Sequence, residues 1–289
     1  IKTHRNVRAA LLAKVVKARR KSLVRRQRRA FREHIKPMLA DGTFSKRFRM
    51  DYTSFRILYQ LLRPVLERNY NAGLGRNGTI PGEWALASTL RWLAGGSIWE
   101  AMDGPVMAHS TAYAKAKLVC LAINKCAALR VRWPKTQEAL AQAAAGFEAR
   151  SSSGVVKNSV GAADGLLIRR RKPRTKEHIA PDRFYSGHKK AVGMNMQAIC
   201  DAQYRFIAVA CTCPGSTNDR TAWGLSGFDR AVEQLPYPYV ITGDAAYAPS
   251  EKMLVPYPGT GLETYADAYN YFQSQSRMPI EQTFGIFVS

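Results

Sequence analysis

The sequence has few cysteines and few acidic residues, and it has no long apolar run. Its five cysteines form no Cys-x-x-Cys pair and are odd in number, so we expect free thiols in a reducing compartment and no zinc site. No stretch is long and apolar enough to cross a bilayer, so we expect no membrane partner. Asp and Glu number 21 against 44 Lys and Arg, a formal net charge of +23. This excess indicates a polyanionic partner, with nucleic acid ahead of an anionic membrane.

Basic residues are densest near the start of the chain, and we interpret residues 1–50 as a basic N-terminal arm. Its densest runs are 19–21 and 25–29. We expect such an arm to contact DNA phosphates or a nuclear import receptor, with an affinity that depends on salt and not on base sequence. The alternative is a solvated charged arm without a specific role. The expected location of the protein is the nucleus.

Residues 51–150 have the apolar spacing of a helical domain. Asp51 is a candidate cap for one helix, and another begins near Thr79. A short helix (97–102), a turn (103–105) and a longer helix after a Ser110 cap then follow. This is the outline of a helix-turn-helix. Such a unit could read DNA, build a core or bind a partner, and the spacing leaves these alternatives open.

The periodicity becomes strand-like after residue 150, so we place a second domain at 151–289. Runs at 195–201 and 204–212 flank a turn and predict a hairpin. The strand that holds Asp164 precedes them, and a helix over 219–234, a strand before Asp244 and a terminal helix follow. This order predicts an α/β fold, with a ribonuclease-H-like mixed sheet and flanking helices.

Three carboxylates interrupt this pattern. Asp164 lies among small and apolar residues, Asp244 ends a second apolar run, and Glu281 lies beside the apolar stripe of the last helix. An unpaired buried charge is costly, so such groups are normally paired, bound to metal or placed at a cleft. The three could converge on a site for hard divalent cations, which activate water in phosphodiester cleavage. The alternative for Asp164 is a lone turn residue before Gly165.

Six short motifs occur in order along the second half of the chain. They are Gly161-Ala162-Ala163-Asp164-Gly165, Tyr185-Ser186-Gly187-His188-Lys189, Asn195-Met196-Gln197-Ala198-Ile199-Cys200-Asp201, Pro214-Gly215-Ser216-Thr217-Asn218-Asp219, Gly243-Asp244-Ala245-Ala246-Tyr247 and Arg277-Met278-Pro279-Ile280-Glu281-Gln282-Thr283-Phe284-Gly285. Together they resemble the DDE-superfamily endonuclease domain of PIF/Harbinger transposases and the nucleases derived from them. Each motif alone is weak, so the likeness, which extends over residues 51–289, depends on the ordered set.

The resemblance implies a DNA endonuclease and strand-transfer enzyme that uses two Mg²⁺ or Mn²⁺ ions. The family's three carboxylates fall on Asp164, Asp244 and Glu281, with Asp164 bridging both ions. The implied partners are double-stranded DNA, as transposon ends and target, a Myb-like DNA-binding protein, and further copies of the chain. The family continues well beyond its glutamate, which implies that a chain ending at Ser289 is a fragment, a truncated gene product or a relic.

Other residues of the motifs have two interpretations each. His188 and Lys189 could contact the scissile phosphate or the DNA backbone, whereas a packed histidine would bond only to its own loop. Asp219 is expected to cap the helix after Asn218, or else to support the metal site indirectly. Arg277 could hold Glu281 or reach DNA.

A basic run follows the Asp164 strand and is expected to bind phosphate. It comprises Arg169, Arg170, Arg171 and Lys172. Two alternatives to the nuclease remain open on the sequence. One is a catalytically inactive, transposase-derived DNA-binding protein, and the other is a basic RNA-binding protein whose carboxylates are structural.

Overall fold

The structure is a computed structural model of the chain, and it describes residues 29–67 and 79–288. The chain divides into two compact units between Arg130 and Val131. The basic runs at 19–21 and 25–28 lie outside the described residues. Over the described ranges, none of the helices is both long enough and apolar enough to span a membrane.

The first unit is helical. Its helices, followed by a short 3₁₀ turn at Ala127–Leu129, are α1 (Phe31–Ala40), α2 (Thr43–Phe48), α3 (Tyr52–Leu66), α4 (Gly82–Leu93), α5 (Ile98–Asp103) and α6 (His109–Lys125). The predicted cap of α3 is confirmed, because the Asp51 side chain accepts a hydrogen bond of 2.9 Å from the Ser54 N–H. Helix α6 begins two residues earlier than expected, after Ala108 and not after a Ser110 cap.

Helices α1 and α2 belong to this helical core, which differs from the predicted arm over residues 1–50. Phe31 and Phe44 are buried, and their rings lie 5.5 and 5.7 Å from that of Phe55 in α3. The basic residues between them face solvent. The high charge of the segment therefore suggested an arm, although its apolar residues have the spacing of a helix with one buried face. The short helix, turn and long helix predicted over 97–125 are present as α5 and α6, and their interpretation as a DNA-reading unit stays a prediction.

The second unit holds a six-stranded sheet. Its strands are β1 (Ser159–Arg169), β2 (Tyr185–Ser186), β3 (Ala191–Cys200), β4 (Phe206–Pro214), β5 (Val240–Thr242) and β6 (Met253–Leu254). Its helices are α7 (Gln137–Glu148), α8 (Asp219–Ser226), α9 (Phe228–Glu233) and α10 (Thr264–Val288). The sheet is mixed, since β1 pairs antiparallel with β3 but parallel with β5.

The predicted hairpin is confirmed as β3 and β4. Asp201 stabilises its turn, because its side chain accepts hydrogen bonds from the Gln203 and Arg205 N–H groups. The predicted helix over 219–234 is two helices, because Gly227 adopts a left-handed conformation (φ 75°) between α8 and α9. The mixed sheet with flanking helices, preceded by a helical region, confirms the predicted ribonuclease-H-like fold class.

Helix α7 packs on the sheet, so the boundary at residue 150 predicted from sequence differs from the observed division after Arg130. Its Phe147 is fully buried in one apolar cluster with Met196 of β3 and Ile280 of α10. Truncating a ring buried in this way costs about 3–5 kcal/mol. Helical periodicity reveals that α7 exists but not which unit it packs against, which explains the difference.

Candidate active site

The two predicted aspartates lie at matching positions of two adjacent parallel stretches of chain, Asp164 within β1 and Asp244 just after the end of β5. Ala162 of β1 stands opposite Thr242 of β5, and each strand reaches its aspartate two residues later, at Asp164 and Asp244. Because the two strands run in the same direction and are neighbours in the sheet, this register places the two carboxylates side by side. Both line an open cavity of about 620 Å³.

Asp164 is largely buried, with 20% of its side chain exposed. Its Oδ1 accepts a hydrogen bond of 2.7 Å from the Gly165 N–H. Burial raises the pKa of Asp164 to about 6, and the negative charges of Asp244 and Asp219 act in the same direction. The Gly165 hydrogen bond and the Arg277 guanidinium oppose this shift. A cation at this carboxylate would therefore relieve an unfavourable concentration of negative charge.

Glu281 is connected to Asp164 through an arginine. Arg277 and Glu281 are one turn apart on α10, and Arg277 Nη2 lies 2.6 Å from Glu281 Oε1. The other guanidinium nitrogen, Nη1, lies 3.7 Å from Asp164 Oδ2. Glu281 is half-exposed and is not among the described residues that line the cavity. The structure thus brings Asp164 and Asp244 together and places a guanidinium between Asp164 and Glu281.

Asp219 is the third carboxylate at the cavity, and buried amides hold it there. Its Oδ1 accepts hydrogen bonds from Asn195 Nδ2 (2.9 Å) and Gln197 Nε2 (3.0 Å). Gln197 Oε1 accepts in turn from the Tyr247 hydroxyl at 2.7 Å. Burial, reinforced by the nearby carboxylates, holds the pKa of Tyr247 well above its ordinary value, so its hydroxyl is a neutral donor.

The expectation that Asp219 caps its helix is wrong. Asn218 is the N-cap of α8, and its side chain accepts a hydrogen bond of 2.8 Å from the Thr221 N–H. Asp219, the first residue of that helix, faces the cavity lined by Asp164 and Asp244. Its position fits the alternative interpretation, in which it supports the site.

A family model described as DDE superfamily endonuclease matches residues 163–288, which begin one residue before Asp164. We refer to residues 163–288, which are similar to this family, as the DDE domain. No curated protein and no solved structure matches the chain.

Two further predicted residues of the DDE domain reach the cavity. His188 and Lys189 line it, in the segment between β2 and β3, where the Lys189 N–H donates a hydrogen bond of 3.3 Å to Ser186 Oγ. They line the same cavity as Asp164 and Asp244, so a phosphate bound there would lie near both positively and negatively charged side chains.

The basic run after β1 does not line the cavity. None of Arg169, Arg170, Arg171 and Lys172 is among the described residues that form its wall. Arg170 packs over the ring of Phe184 at 5.1 Å, Arg171 pairs with Glu177 at 3.1 Å, and Lys172 pairs with Asp182. The latter two pairs are exposed and contribute little to stability. A role of this run in DNA binding stays a prediction.

Helix α10 is anchored to the strand end that carries Asp244. The buried Gln273 donates hydrogen bonds from Nε2 to the carbonyl oxygens of Gly243 (2.6 Å) and Leu254 (3.1 Å). These carbonyls follow β5 and end β6, so Gln273 fixes the helix against both strands. Arg277 and Glu281 lie one and two turns further along the same helix.

The carboxylates of the DDE domain meet part of what a divalent cation requires. Carboxylate oxygens are the ligands that Mg²⁺ and Mn²⁺ prefer, and Asp164, Asp219 and Asp244 all face one cavity. Across residues 29–67 and 79–288, however, no three His, Cys, Asp or Glu side chains lie close enough to hold one ion together. The predicted set with Glu281 is not assembled, because the Arg277 cation stands between Glu281 and Asp164. The chemistry of the aspartates fits a metal, and the position of Glu281 requires Arg277 to move.

Sequence reasoning missed the two amides that hold Asp219 and the tyrosine that donates to one of them. Asn195 and Gln197 alternate on β3 and therefore point to one face of a strand that is otherwise apolar. Two buried amides on one strand face require partners, which is a signal the sequence contained. Tyr247 follows the second aspartate by three residues and gave no comparable signal.

Replacing Gly165 with Ala should destabilise the DDE domain by about 1–3 kcal/mol. A Cβ at this position would stand 2.3 Å from Asp219 Oδ1 and 2.7 Å from Gln197 Nε2, so the carboxylate and its donor would have to move. Urea unfolding of the full chain measures the loss. Gly187→Ala is the matched control, because its Cβ would meet nothing within 4 Å. Equal stability of the two variants would contradict the close approach of Asp219 to β1.

Proposed function

We propose that this chain is a metal-dependent DNA endonuclease of the PIF/Harbinger type, which cleaves and joins phosphodiester bonds. One observation carries the proposal: Asp164 of β1 and Asp244, just after the neighbouring parallel strand β5, share a cavity in the part of the chain that matches the DDE endonuclease family. The six ordered motifs support the Harbinger subtype.

The proposed ligands of the metal are Asp164, Asp244 and Glu281. Asp164 would bridge two Mg²⁺ or Mn²⁺ ions, and the other two carboxylates would each hold one. When bound, such ions activate a water and stabilise the leaving oxygen of the phosphodiester. Asp219 would support the site and not bind metal through Oδ1, because that oxygen already accepts hydrogen bonds from Asn195 and Gln197.

The remaining residues of the cavity would position DNA. Lys189 offers a positive charge to a phosphate oxygen, and His188 offers a ring nitrogen as hydrogen-bond donor. The net charge of +23 supports binding of double-stranded DNA as substrate. A Myb-like partner, assembly of several copies and a nuclear location belong to the same proposal and are supported by the resemblance alone.

Plasmid nicking by the full chain tests this function. Supercoiled DNA is incubated with protein in Mn²⁺, in Mg²⁺ and in EDTA, and the relaxed form is quantified on a gel. The expected result is nicking in either ion and none in EDTA. Lack of nicking in both ions at protein concentrations that saturate the DNA would contradict the proposal.

A catalytically inactive DNA-binding protein is the second candidate, and the Arg277 ion pairs favour it. They hold Glu281 outside the cavity, and the described residues contain no assembled three-ligand set. Salt-sensitive binding of duplex DNA without cleavage in Mn²⁺ would identify this second function.

Replacing Arg277 with Gln should tighten Mn²⁺ binding by about fivefold. The guanidinium lies 3.7 Å from Asp164 Oδ2 and neutralises the carboxylates that the ion needs, a competition of about 1 kcal/mol for a partly exposed pair. Free Mn²⁺ is measured by electron paramagnetic resonance during a titration, so the readout does not depend on cleavage.

The matched control for this titration is Arg171→Gln, which removes an arginine that pairs with Glu177 outside the cavity. The control variant should bind Mn²⁺ as the unmodified chain does. Weaker Mn²⁺ binding by Arg277→Gln would instead mean that Arg277 positions Glu281 for the ion and does not compete with it.

A further inference from the structure

Four aromatic rings form a continuous chain on the surface of the helical unit. Trp92 lies at the end of α4, Trp99 in α5, and His109 and Tyr113 in the first two turns of α6. The ring centroids are 5.8 Å apart from Trp92 to Tyr113, 4.8 Å from Tyr113 to His109 and 5.4 Å from His109 to Trp99. We call these four residues the aromatic row.

The aromatic row is exposed although it is not needed for the core. Trp99 is 68% exposed, Tyr113 45% and Trp92 37%. The core of this unit has its own aromatic residues, among them Phe55 and Trp84, which are buried. Contiguous exposed rings are uncommon on a surface that has no partner, because burying them would be favourable. The row therefore indicates a binding surface.

The charge beside the row is positive. Helix α6 carries three lysines and no acidic residue. Lys117 is exposed, lies one turn after Tyr113 and forms no ion pair with any residue that the structure describes. Helix α5 carries two acidic residues, of which Glu100 accepts a hydrogen bond of 2.9 Å from Arg91 Nε and Asp103 is exposed, so the three lysines of α6 leave an excess of positive charge. A ligand of this surface is thus expected to be anionic as well as aromatic.

We propose that the aromatic row binds single-stranded DNA by stacking on unpaired bases. Unpaired nucleotides combine a flat ring with a phosphate, and base–aromatic stacking beside a basic helix is a general means of binding them. In duplex DNA the base faces are covered by their neighbours, so the rings would meet only edges and the backbone. This binding is separate from phosphodiester cleavage and needs no metal.

Fluorescence anisotropy of the full chain in EDTA tests the proposal with a labelled oligothymidine of about 20 nucleotides. Trp99→Ala and Tyr113→Ala should each weaken this binding about tenfold, which corresponds to the loss of one stacked base. Binding of a duplex of similar length, which depends mainly on phosphate contacts, should change less than about twofold. Ile57→Ala, which removes a 58% exposed apolar side chain from α3 of the same unit, is the matched control and should change neither affinity.

Two further variants separate stacking from general apolar contact. Trp99→Phe keeps a ring and should bind oligothymidine within about threefold of the unmodified chain, whereas Trp99→Leu should bind like Trp99→Ala. Equal affinities of the Phe and Leu variants would overturn the proposal and indicate an apolar protein partner. Equal losses for single strand and duplex, or no loss for either, would overturn it as well. Because cleavage is not measured, these outcomes are distinct from a failure of the proposed nuclease.

Discussion

Asp244→Ala is expected to reduce metal-dependent nicking at least about 100-fold, since even residues that only support a metal ligand typically contribute 10- to 100-fold. Asp244 follows β5, the parallel neighbour of the strand that holds Asp164, and faces the cavity where the phosphodiester would lie. Its side chain lies past the end of β5 and makes one described hydrogen bond, accepting from the Ala246 N–H at 2.9 Å. The substitution should therefore leave the fold intact, and the rate of plasmid relaxation in Mn²⁺ measures the effect.

The control for this result is Glu251→Ala, which removes an exposed carboxylate seven residues further along the chain. That variant should nick DNA at the rate of the unmodified chain. Duplex binding in EDTA should be the same for both variants. Equal nicking by Asp244→Ala would exclude Asp244 as a metal ligand and refute the proposed site.

Asp164→Asn is expected to stabilise the DDE domain by about 3 kcal/mol at pH 8. The pKa of Asp164 is raised to about 6 from an ordinary value of 3.8, and a shift of about two units corresponds to about 3 kcal/mol. Because folding favours the protonated form, the stability contributed by Asp164 is fully present below about pH 4. It is lost as the pH rises through about 6. The neutral amide avoids this loss and can still accept the Gly165 hydrogen bond.

Chemical unfolding of the full chain between pH 4 and pH 8 measures this difference. The stabilities of the unmodified chain and of Asp164→Asn should be similar near pH 4 and diverge as the pH rises. Asp182→Asn is the control, because it makes the same substitution at a side chain that is 89% exposed. Parallel pH profiles for all three proteins would mean that Asp164 is not destabilised in its ionised form.

Much of the DDE domain could be predicted from the sequence because its signals are local. The runs that form β3 and β4 alternate over a short turn, and the two aspartates each follow an apolar run. The position of Asp164 opposite Ala198 of β3 confirms that its strand is part of the sheet and not a lone turn. The hairpin and the mixed sheet followed from these patterns.

The remaining features depend on contacts between distant parts of the chain, which periodicity does not report. Arg277 was expected to hold Glu281 or reach DNA, and its second contact with Asp164 arises only when α10 packs beside β1. Gln197 likewise meets Tyr247 across 50 positions of sequence. The assignment of α7 and of α1 to their units was missed for the same reason, because an amphipathic helix does not specify its partner.

The anchoring of α10 by Gln273 has a mechanical consequence for the site. Asp164 lies within β1 and Asp244 just after β5, whereas Arg277 and Glu281 lie on a single helix, one and two turns after the residue that anchors it, Gln273. A small rotation of that helix about its axis would move Arg277 and Glu281 together relative to Asp164 and Asp244. Substitutions on the opposite side of α10 would therefore change the electrostatic potential in the cavity without altering any residue that lines it.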